Sequence, residues 1–339
     1  MRHDPNPTQS SAARGTLCAI IVTYDQRHEY LARVLGRLVE CHVDQIVVVY
    51  NGNQPADGLP DVVNISIINA QNLGSAGGFR AGIEAALRLD VDYLLLLDDD
   101  NLPATDCIER LCTTHALLGG GPSLALQAFR PAQPWQCAVL HYGVAPIGRR
   151  NTYGWFNLAN ERYLLGRQLG LRATKGSPLD APFKLARIEL AAYGGLFLRR
   201  DGLLALGELP DPRYFCYYDD FEFSSRLVRR GLSIRLCADA VIEDMEASWH
   251  VPAERVHPVF SPGVSDQRVY LDLRNAFIFY RTRQTSRALY ALNGLGFWLG
   301  LAYLALFRSA DVRTTQRRLA LILRAVRSGT RGQFIAYGK

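Results

Sequence analysis

Uninterrupted apolar runs that alternate with helical patterns place the tightest limit on how this chain can fold. LCAIIVTY (17–24) and QIVVVYN (45–51) are apolar, β-branched runs separated by a helical pattern. VNISIINA (63–70) is a third strand, AGGFRAGIEAALRLD (76–90) a helix after a glycine turn, and DYLLLLDDD (92–100) a fourth strand. Such strands alternating with helices indicate a parallel sheet covered on both faces. The sequence therefore predicts an α/β fold.

Three adjacent carboxylates, Asp98, Asp99 and Asp100, close the fourth strand. When ionised they repel one another, so they cost stability unless a cation or a strongly polar ligand lies among them. Ligands of parallel sheets bind beyond the carboxyl ends of the strands, where these residues fall. If the strand stays extended, Asp98 and Asp100 point the same way, because side chains alternate with period two. We expect a positive partner there.

A glycine-rich turn, NLGSAGG (72–78), leads into the second predicted helix. Its glycines, Gly74, Gly77 and Gly78, allow close backbone approach, and a helix N-terminus favours an anion. The same pattern serves equally well as a packing device. Beside a cation site it suits a diphosphate, which needs both amide donors and a cation.

Composition limits the function classes. With 339 residues, 48% hydrophobic and 21% charged, the chain can form one large domain or two smaller ones. The net charge of +6 is confined to residues 308–339, which carry +7 and leave −1 for the rest. No basic stripe crosses the folded body, so a nucleic-acid function is not expected. Seven cysteines without a CxxC pair fit a reducing cytosol, and the polar residues 1–16 read as a flexible N-terminus without a secretory signal.

An uncharged run of twenty residues, 288–307, precedes the basic tail. It is long enough to span a bilayer, but arginines flank it on both sides, against the positive-inside tendency. A helix lying in the membrane plane, or a re-entrant one, suits this symmetry better. A buried helix at a subunit contact is the alternative, so homo-oligomerisation stays open.

The order of the motifs carries a family resemblance. AIIVTYDQRHEYLARVLGRL, IVVVYNGN, NLGSAGGFRAGI and YLLLLDDDN together resemble the nucleotide-binding half of family 2 glycosyltransferases with the GT-A fold. Residues 193–231 resemble the acceptor-side half, and VIEDMEASWH (241–250) resembles the terminal histidine segment. The implied division is 17–126 for the nucleotide-sugar half, 127–265 for the acceptor-binding and catalytic half, and 266–339 for a helical, basic, membrane-associated region.

The resemblance implies roles for the acidic residues. Asp98 and Asp100 would hold Mn²⁺ or Mg²⁺ with His250, although His257 competes for that place, and Asp99 would face the ribose or structural bonds. In YYDDFEF (217–223), Asp220 would be the base of an inverting transfer and Asp219 would orient the acceptor. Capping of the following helix by either aspartate is the structural alternative and is compatible with catalysis. Phe215, Tyr217 and Tyr218 could form an apolar platform for a sugar.

Donor contacts are implied as well. The family's second strand often ends in Asp-Asn-Gly, whereas this chain has Tyr50-Asn51-Gly52, so Tyr50 either stacks on the base or packs in the core. The remaining residues expected to contact the donor are Tyr24, Asn51, Asn72, Gly74, Gly77, Gly78, Arg80, Asp99 and Arg274.

The motif set is most similar to bacterial galactofuranosyltransferases, which use UDP-galactofuranose; rhamnosyltransferases that use dTDP-rhamnose share much of it. The uncharged run and its basic flanks predict attachment to the inner face of the cytoplasmic membrane through residues 288–339. A membrane-attached enzyme with a cytosolic active site suggests a glycan or lipid-linked acceptor, as in O-antigen or cell-wall polysaccharide synthesis. Two other classes stay open: a nucleotidyltransferase, which would release pyrophosphate, and a catalytically silent, membrane-bound glycan-assembly subunit.

Overall fold

The chain forms two compact units in the computed structural model, which describes residues 15–25, 27–52, 63–69, 71–143, 145–161, 184–246 and 256–338. The first unit takes its described residues from 1–145, 176–212 and 220–246. The second unit takes them from 146–175, 213–219 and 247–339.

One sheet organises the first unit. Its four adjacent strands β3, β2, β1 and β4 are parallel, and β8 runs antiparallel to both β4 and β6. The order is β3-β2-β1-β4-β8-β6-β9-β5, with β7 also paired to β9. The strands of the described residues are β1 (Leu17–Thr23), β2 (Gln45–Asn51), β3 (Val63–Asn69), β4 (Tyr93–Asp98), β5 (Asn101–Pro103), β6 (Leu124–Phe129), β7 (Leu185–Ile188), β8 (Leu196–Arg199) and β9 (Ser233–Asp244).

The predicted α/β class is confirmed, and its four-strand parallel core follows the predicted strand runs. The sheet also joins segments that the sequence separates into two halves, because β6 to β9 extend the sheet begun by β1 to β4. The helices of the described residues are α1 (His28–Glu40), α2 (Gly74–Ala86), α3 (Cys107–Leu117), α4 (Pro134–Tyr142), α5 (Arg200–Leu206), α6 (Asp219–Arg229), α7 (Asp266–Arg281), α8 (Arg287–Phe307) and α9 (Val312–Thr330).

Helices cover both faces of β1. On one face, the apolar stripe of α1, with Leu31 and Leu35, shares a buried cluster with Ile21. On the other, α2 comes so close that a Cβ on Gly78 would lie 2.5 Å from Cγ1 of Val22. The glycines of α2 therefore set the distance between this helix and the sheet.

The second unit contains the helical C-terminal region. Helices α7, α8 and α9 share a buried core that includes Phe277, Phe297 and Ile322. Among the described residues, α8 is the one helix long and apolar enough to cross a membrane. Its buried residues lie on one side and include Asn293, Gly294, Phe297 and Leu301.

We predict opposite effects for two glycine-to-alanine substitutions. Gly78→Ala forces α2 away from β1 and should lower the free energy of unfolding by about 1–3 kcal/mol. Gly36→Ala, in α1, meets nothing within 4 Å and should be neutral or stabilise by up to about 1 kcal/mol. Urea unfolding followed by circular dichroism measures both variants; equal effects would contradict the close packing of α2.

Candidate active site

The aspartate cluster forms a turn instead of an extended strand. Strand β4 ends at Asp98. The next two residues, Asp99 and Asp100, form a turn, and β5 begins at Asn101. The backbone N–H of Asp98 donates to Oδ1 of Asn101 at 3.1 Å, which closes the turn. The expectation that period-two alternation aligns Asp98 with Asp100 therefore does not apply, because the strand does not continue through both residues. The predicted strand over 92–100 is therefore wrong for its last two residues, Asp99 and Asp100.

Arg27 supplies the positive charge expected beside these carboxylates. Its Nε lies 2.9 Å from Oδ1 of Asp99, and its Nη2 lies 3.5 Å from Oδ2 of Asp100. It also pairs with Glu246. Asp99 is buried and accepts a second hydrogen bond, 2.7 Å long, from the hydroxyl of Thr23. In this arrangement Asp99 is held by protein groups.

Aromatic rings flank Arg27. Its guanidinium carbon lies 5.1 Å from the ring centre of Tyr24 and 5.0 Å from that of Tyr30. Tyr24, a predicted donor contact, therefore lies at the same strand end as the aspartates. The signal that could have identified Arg27 is its position just after β1, since β1 and β4 are parallel neighbours and their carboxyl ends must meet.

A second buried ion pair lies on the other side of the turn. Nε of Arg130 is 2.6 Å from Oδ1 of Asp244, and Gln133 donates to Oδ2 of Asp244 at 2.9 Å. Nδ2 of Asn101 donates to Asp244 at 3.1 Å and to Asp100 at 3.3 Å, so it links the pair to the aspartate turn. The sequence did not identify Arg130, Gln133 or Asp244, because only the pairing of β5 with β9 brings Asp244 opposite Asn101.

The electrostatics of the cluster favour binding of a cation. Five carboxyl groups, including Glu246, face two guanidinium groups, so full ionisation leaves an excess of negative charge. Burial, then repulsion from Asp100, raises the pKa of Asp98 to about 7. Burial raises the pKa of Asp99 to about 6 despite Arg27, and it raises the pKa of Asp100. A bound cation would favour ionisation of all three.

The described residues do not by themselves form a metal site. Among them, no group of three or more His, Cys, Asp and Glu side chains is placed to hold a metal ion. A cation would take Asp98 and Asp100 from the turn and further ligands from elsewhere. His250 lies outside the described residues. His257 lies in the second unit, where its Nδ1 accepts a hydrogen bond from the backbone N–H of Val259 at 3.3 Å.

The glycine turn is bound to the end of β2 through Asn51. Nδ2 of this buried side chain donates to the carbonyl of Gly74 at 2.7 Å and to Oδ1 of Asn72 at 3.1 Å. Its Oδ1 accepts from the N–H of Leu73 at 2.9 Å. Asn51 thus positions the turn, and Asn72 also accepts from the N–H of Gly74 at 2.8 Å.

Three further expected donor residues have packing or pairing partners. A Cβ on Gly77 would lie 2.6 Å from Cβ of Leu73, so Gly77, like Gly78, is required by packing. Tyr50 is fully buried in the core, which favours the packing alternative over base stacking. Arg80 forms an ion pair with Glu84 one turn along α2, at 3.0 Å, with both side chains partly exposed.

Arg274 lies in the second unit and is buried. Its Nη1 donates to the carbonyl of Ile335 at 2.8 Å, and its Nη2 donates to the carbonyl of Tyr214 at 3.0 Å. A guanidinium that is committed to backbone carbonyls is a structural group, so this geometry does not favour the expected donor contact.

The second acidic pair begins α6. Asp219 is buried, Asp220 is half-buried, and Oδ1 of Asp220 accepts from the N–H of Phe221 at 2.7 Å. The helix N-terminus stabilises the ionised form of a carboxylate there. The preceding loop has Phe215, Tyr217 and Tyr218 at φ of +68°, +67° and +61°. Each left-handed residue other than glycine costs about 1–2 kcal/mol, so the loop is strained.

The aromatic residues of this loop pack in the second unit. The ring of Tyr218 lies 5.7 Å from that of Phe279 and 5.9 Å from that of Tyr280, centre to centre. Phe215 and Tyr217 pack, partly buried, against the core shared by α7 to α9. All three rings thus have protein partners on one side and retain some exposure.

Comparison with known proteins identifies the class. A galactofuranosyltransferase GlfT1 of Mycolicibacterium smegmatis is 32% identical over 235 residues, which cover 66% of this chain and 69% of the relative. GlfT1 of Mycobacterium tuberculosis is 30% identical over 230 residues, covering 66% and 67%. No protein-family model matches the chain.

Two solved structures were also compared. GalNAc-T7, crystallised with UDP, GalNAc and Mn²⁺, has a TM-score of 0.49 at 15% identity and covers 78% of this chain, which spans only 48% of that structure. TarS residues 1–349 from S. aureus has a TM-score of 0.48 at 10% identity, with 93% of this chain and 80% of that one covered.

The curated relatives are glycosyltransferases, and so is this protein. The chain belongs to the family of the mycobacterial galactofuranosyltransferases GlfT1.

We predict that the aspartate turn makes stability depend on pH in metal-free buffer. The folded-state pKa of Asp98, about 7, is above its usual value of 3.8, so the folded protein holds a proton that the unfolded chain releases. This contribution to stability is complete below about pH 4 and is lost as the pH rises through about 7. Asp98→Asn should therefore match wild type near pH 4 and exceed it by about 1–3 kcal/mol near pH 8.

Urea unfolding in EDTA at both pH values measures this difference. The control is Asp106→Asn, which removes an exposed carboxylate paired with Arg110 and should change stability by less than about 0.5 kcal/mol at either pH. An Asp98→Asn difference that does not grow with pH would contradict the raised pKa.

Proposed function

We propose that this glycosyltransferase is an inverting, metal-dependent enzyme of family 2. It transfers galactofuranose from UDP-galactofuranose to a glycan or lipid-linked acceptor in bacterial polysaccharide synthesis, of the O-antigen or the cell wall. The observation that carries the proposal is the aspartate turn at the carboxyl end of β4, where carboxyl groups outnumber the guanidinium groups beside them. The names of the relatives support the choice of sugar.

Mn²⁺ or Mg²⁺ would be held by Asp98 and Asp100, with His250 as a further ligand. Hard dications take carboxylate and phosphate oxygens, and the bound ion would stabilise the charge that develops on the leaving diphosphate. The raised pKa values of Asp98 and Asp100 support this assignment, since a cation would offset the cost of ionising them. Asp99, which accepts from Arg27 and Thr23, orients the turn.

Asp220 is the proposed base. It takes the proton of the acceptor hydroxyl as that oxygen attacks the anomeric carbon from the face opposite UDP. The new carbon–oxygen bond forms while the bond to the diphosphate breaks, so the configuration inverts. Asp220 lies at the start of α6, where a helix N-terminus favours a negatively charged side chain, which suits a base. Asp219, its buried neighbour, orients the acceptor.

We predict metal-dependent donor binding. Calorimetric titration of UDP-galactofuranose, UDP-galactopyranose, dTDP-rhamnose and UDP, each with and without Mn²⁺, should show UDP-galactofuranose binding at least about tenfold tighter with Mn²⁺. Asp98→Asn and Asp100→Asn should lose that metal dependence, and Asp106→Asn, an exposed control, should keep it. Asp220→Asn should bind the donor normally but release UDP about 10²–10⁴-fold more slowly with a membrane-lipid extract as acceptor.

Each contrary result has a distinct meaning. Preference for dTDP-rhamnose would make the protein a rhamnosyltransferase, and release of pyrophosphate would indicate a nucleotidyltransferase. Absence of binding to every nucleotide would favour the silent assembly subunit. Near wild-type turnover of folded Asp220→Asn would refute the base assignment.

The proposed location is the inner face of the cytoplasmic membrane, with α8 lying in the membrane plane. One side of α8 packs in the core of the second unit through residues such as Phe297 and Leu301. The opposite side is exposed and apolar over about 27 Å of helix, from 288 to 306. Its exposed residues include a set at helical spacing: Ala288, Leu292, Leu295, Leu299, Tyr303 and Leu306.

Basic residues complement this surface. Arg313, Arg317 and Arg327 lie on the exposed side of α9, and residues 308–339 carry a net charge of +7. An apolar stripe that is followed along the chain by exposed basic residues suits an anionic bilayer, since the leucines would enter the interface and the arginines would meet the lipid headgroups. Because one side of α8 is packed in a protein core, the helix is better suited to lie in the plane of the membrane than to span the bilayer.

We predict that charge on the stripe releases the protein from membranes. Leu295→Glu/Leu299→Glu should reduce flotation with phosphatidylcholine–phosphatidylglycerol vesicles at least about tenfold. Arg313→Gln/Arg317→Gln should weaken binding to these vesicles, at about 1 kcal/mol per charge, but not to phosphatidylcholine alone. Leu117→Glu/Leu204→Glu, which alters exposed leucines of α3 and α5, is the control and should float like wild type.

Point substitutions are sharper than deletion of residues 288–339, because that segment includes the core residues Phe297, Ile322 and Ala325. Equal flotation of the stripe variant and wild type would refute membrane attachment through α8. If the stripe variant instead turns an oligomer into a monomer in analytical ultracentrifugation, the stripe is a subunit contact.

A further inference from the structure

The loop before α6 keeps a backbone conformation that its residues disfavour. Phe215, Tyr217 and Tyr218 all have positive φ, a region that suits glycine, yet each carries a bulky ring. Strained backbone of this kind persists only where the surrounding structure over-determines it, and it is concentrated at functional sites. The loop leads directly into Asp219, the first residue of α6. A specific set of contacts must therefore hold it.

Asn275, in the middle of α7, makes these contacts. Its side chain is fully buried, and its Nδ2 lies 2.9 Å from the carbonyl oxygen of Tyr214, 2.7 Å from that of Cys216 and 2.9 Å from that of Tyr217. An amide nitrogen has two hydrogens, so three acceptors share them. The left-handed turns at 215 and 217 are what bring these carbonyls to one point.

Arg274 orients the Asn275 amide. Its Nε and Nη2 donate to Oδ1 of Asn275 at 2.9 and 2.8 Å, which fixes which end of the amide faces the loop. Its Nη2 also donates to the carbonyl of Tyr214 at 3.0 Å. Both side chains are buried, so these hydrogen bonds do not compete with solvent. The pair acts as one clamp on the backbone of 214–217.

Tyr218 fixes the other end of the loop. Its ring packs against those of Phe279 and Tyr280, which lie one turn further along α7. The same helix thus holds the loop by hydrogen bonds at its start and by ring contacts at its end. These two attachments hold the backbone of residues 214–218, which immediately precede the acidic pair.

We propose that Asn275 is a positioning residue for the acidic pair Asp219 and Asp220: it acts through the strained loop to hold the proposed base in its reactive orientation. The inference rests on the proposed function, because it assigns Asn275 a role in the proton transfer made by Asp220. Catalytic groups must be held within a fraction of an ångström, and an error of about 1 Å can cost about 10²-fold in rate. Asn275 does not contact the substrate in this account.

The test is Asn275→Asp, which keeps size and burial but replaces the N–H donor with an acceptor. UDP release from UDP-galactofuranose with Mn²⁺ and a membrane-lipid extract should fall at least about tenfold in kcat, while the Kd for the donor stays within about twofold. The acidic limb of the pH–rate profile should also shift, since the environment of Asp220 changes. Hydrogen exchange of residues 214–218 should accelerate.

Asn293→Asp is the matched control. Asn293 is a buried asparagine of the same unit, and its Nδ2 donates to the carbonyl of Asn151 at 2.7 Å, while its Oδ1 accepts from the N–H of Leu158 at 2.9 Å. Its substitution should lower thermal stability but leave kcat per folded enzyme and the pH profile unchanged. If Asn275→Asp has a kcat within about twofold of this control, the positioning role is refuted.

A second comparison holds if Asn275→Asp alone does not fold. Phe215→Gly removes the steric cost of positive φ at that position, so the loop needs less support. In this background Asn275→Asp should fold, and its kcat should fall relative to that of Phe215→Gly alone. An unchanged kcat in this pair would refute the positioning role, and failure to fold here as well would contradict a clamp on strained backbone. Wild-type turnover of Asp220→Asn would overturn the base assignment together with this inference. If Asp220→Asn loses turnover but Asn275→Asp does not, only the role of Asn275 is overturned.

Discussion

Burial of carboxylates at the carboxyl end of β4 is the constraint on which the first unit depends. The parallel sheet brings the ends of β1 and β4 together, and the leucines of β4 enclose the strand in the core. The carboxyl groups that follow are partly desolvated, so the chain must supply compensation nearby. Arg27 and Arg130 provide charge, and Thr23 and Asn101 provide hydrogen bonds. The compensation is incomplete, because the carboxyl groups outnumber the two guanidinium groups beside them.

The second acidic pair also depends on distant residues that stabilise an unfavourable local conformation. The loop that precedes α6 is strained by three aromatic residues with positive φ. The support comes from α7, about 60 residues later in the chain, through the buried amide of Asn275. Both acidic sites are therefore built from an unfavourable local arrangement that distant residues stabilise. Such arrangements are typical of functional positions.

Local patterns in the sequence were sufficient to predict β1 to β4, the glycine turn and the helical C-terminal region. β1, β2 and β4 are apolar and buried along almost their whole length, and recognising such runs needs no knowledge of distant residues. The end of β4 was misjudged by two residues, because an apolar run shows where a strand is buried but not where its backbone turns. Gly74, Gly77 and Gly78 were predicted to lie in a turn before a helix, whereas the structure places all three inside α2, which begins at Gly74. The close packing of Gly78 against Val22 and of Gly77 against Leu73 depends on three-dimensional contacts.

The residues that pair with the aspartates could not be predicted from the sequence, because the fold alone brings them together. Arg130 and Asp244 are ordinary residues in their local context, and only the order of β6, β9 and β5 in the sheet brings them beside Asn101. Arg274 looked like a ligand contact because a lone arginine carries no local sign of burial. In the structure it binds carbonyls and Asn275. Sequence patterns predict which groups require partners better than they predict the partners.

The order in which the partners occur along the chain has a consequence for synthesis of the protein. Thr23 and Asp99 are 76 residues apart, Arg130 and Asp244 are 114 apart, and Arg27 and Glu246 are 219 apart. A ribosome-bound chain that has produced β1 to β4 therefore holds the aspartates before most of their partners exist. In the sheet, β6 lies between β8 and β9, so its second edge stays unpaired until β9 has been synthesised. Contacts of such long sequence separation slow folding, and the full set of partners around the aspartates exists only once about residue 246 has been synthesised.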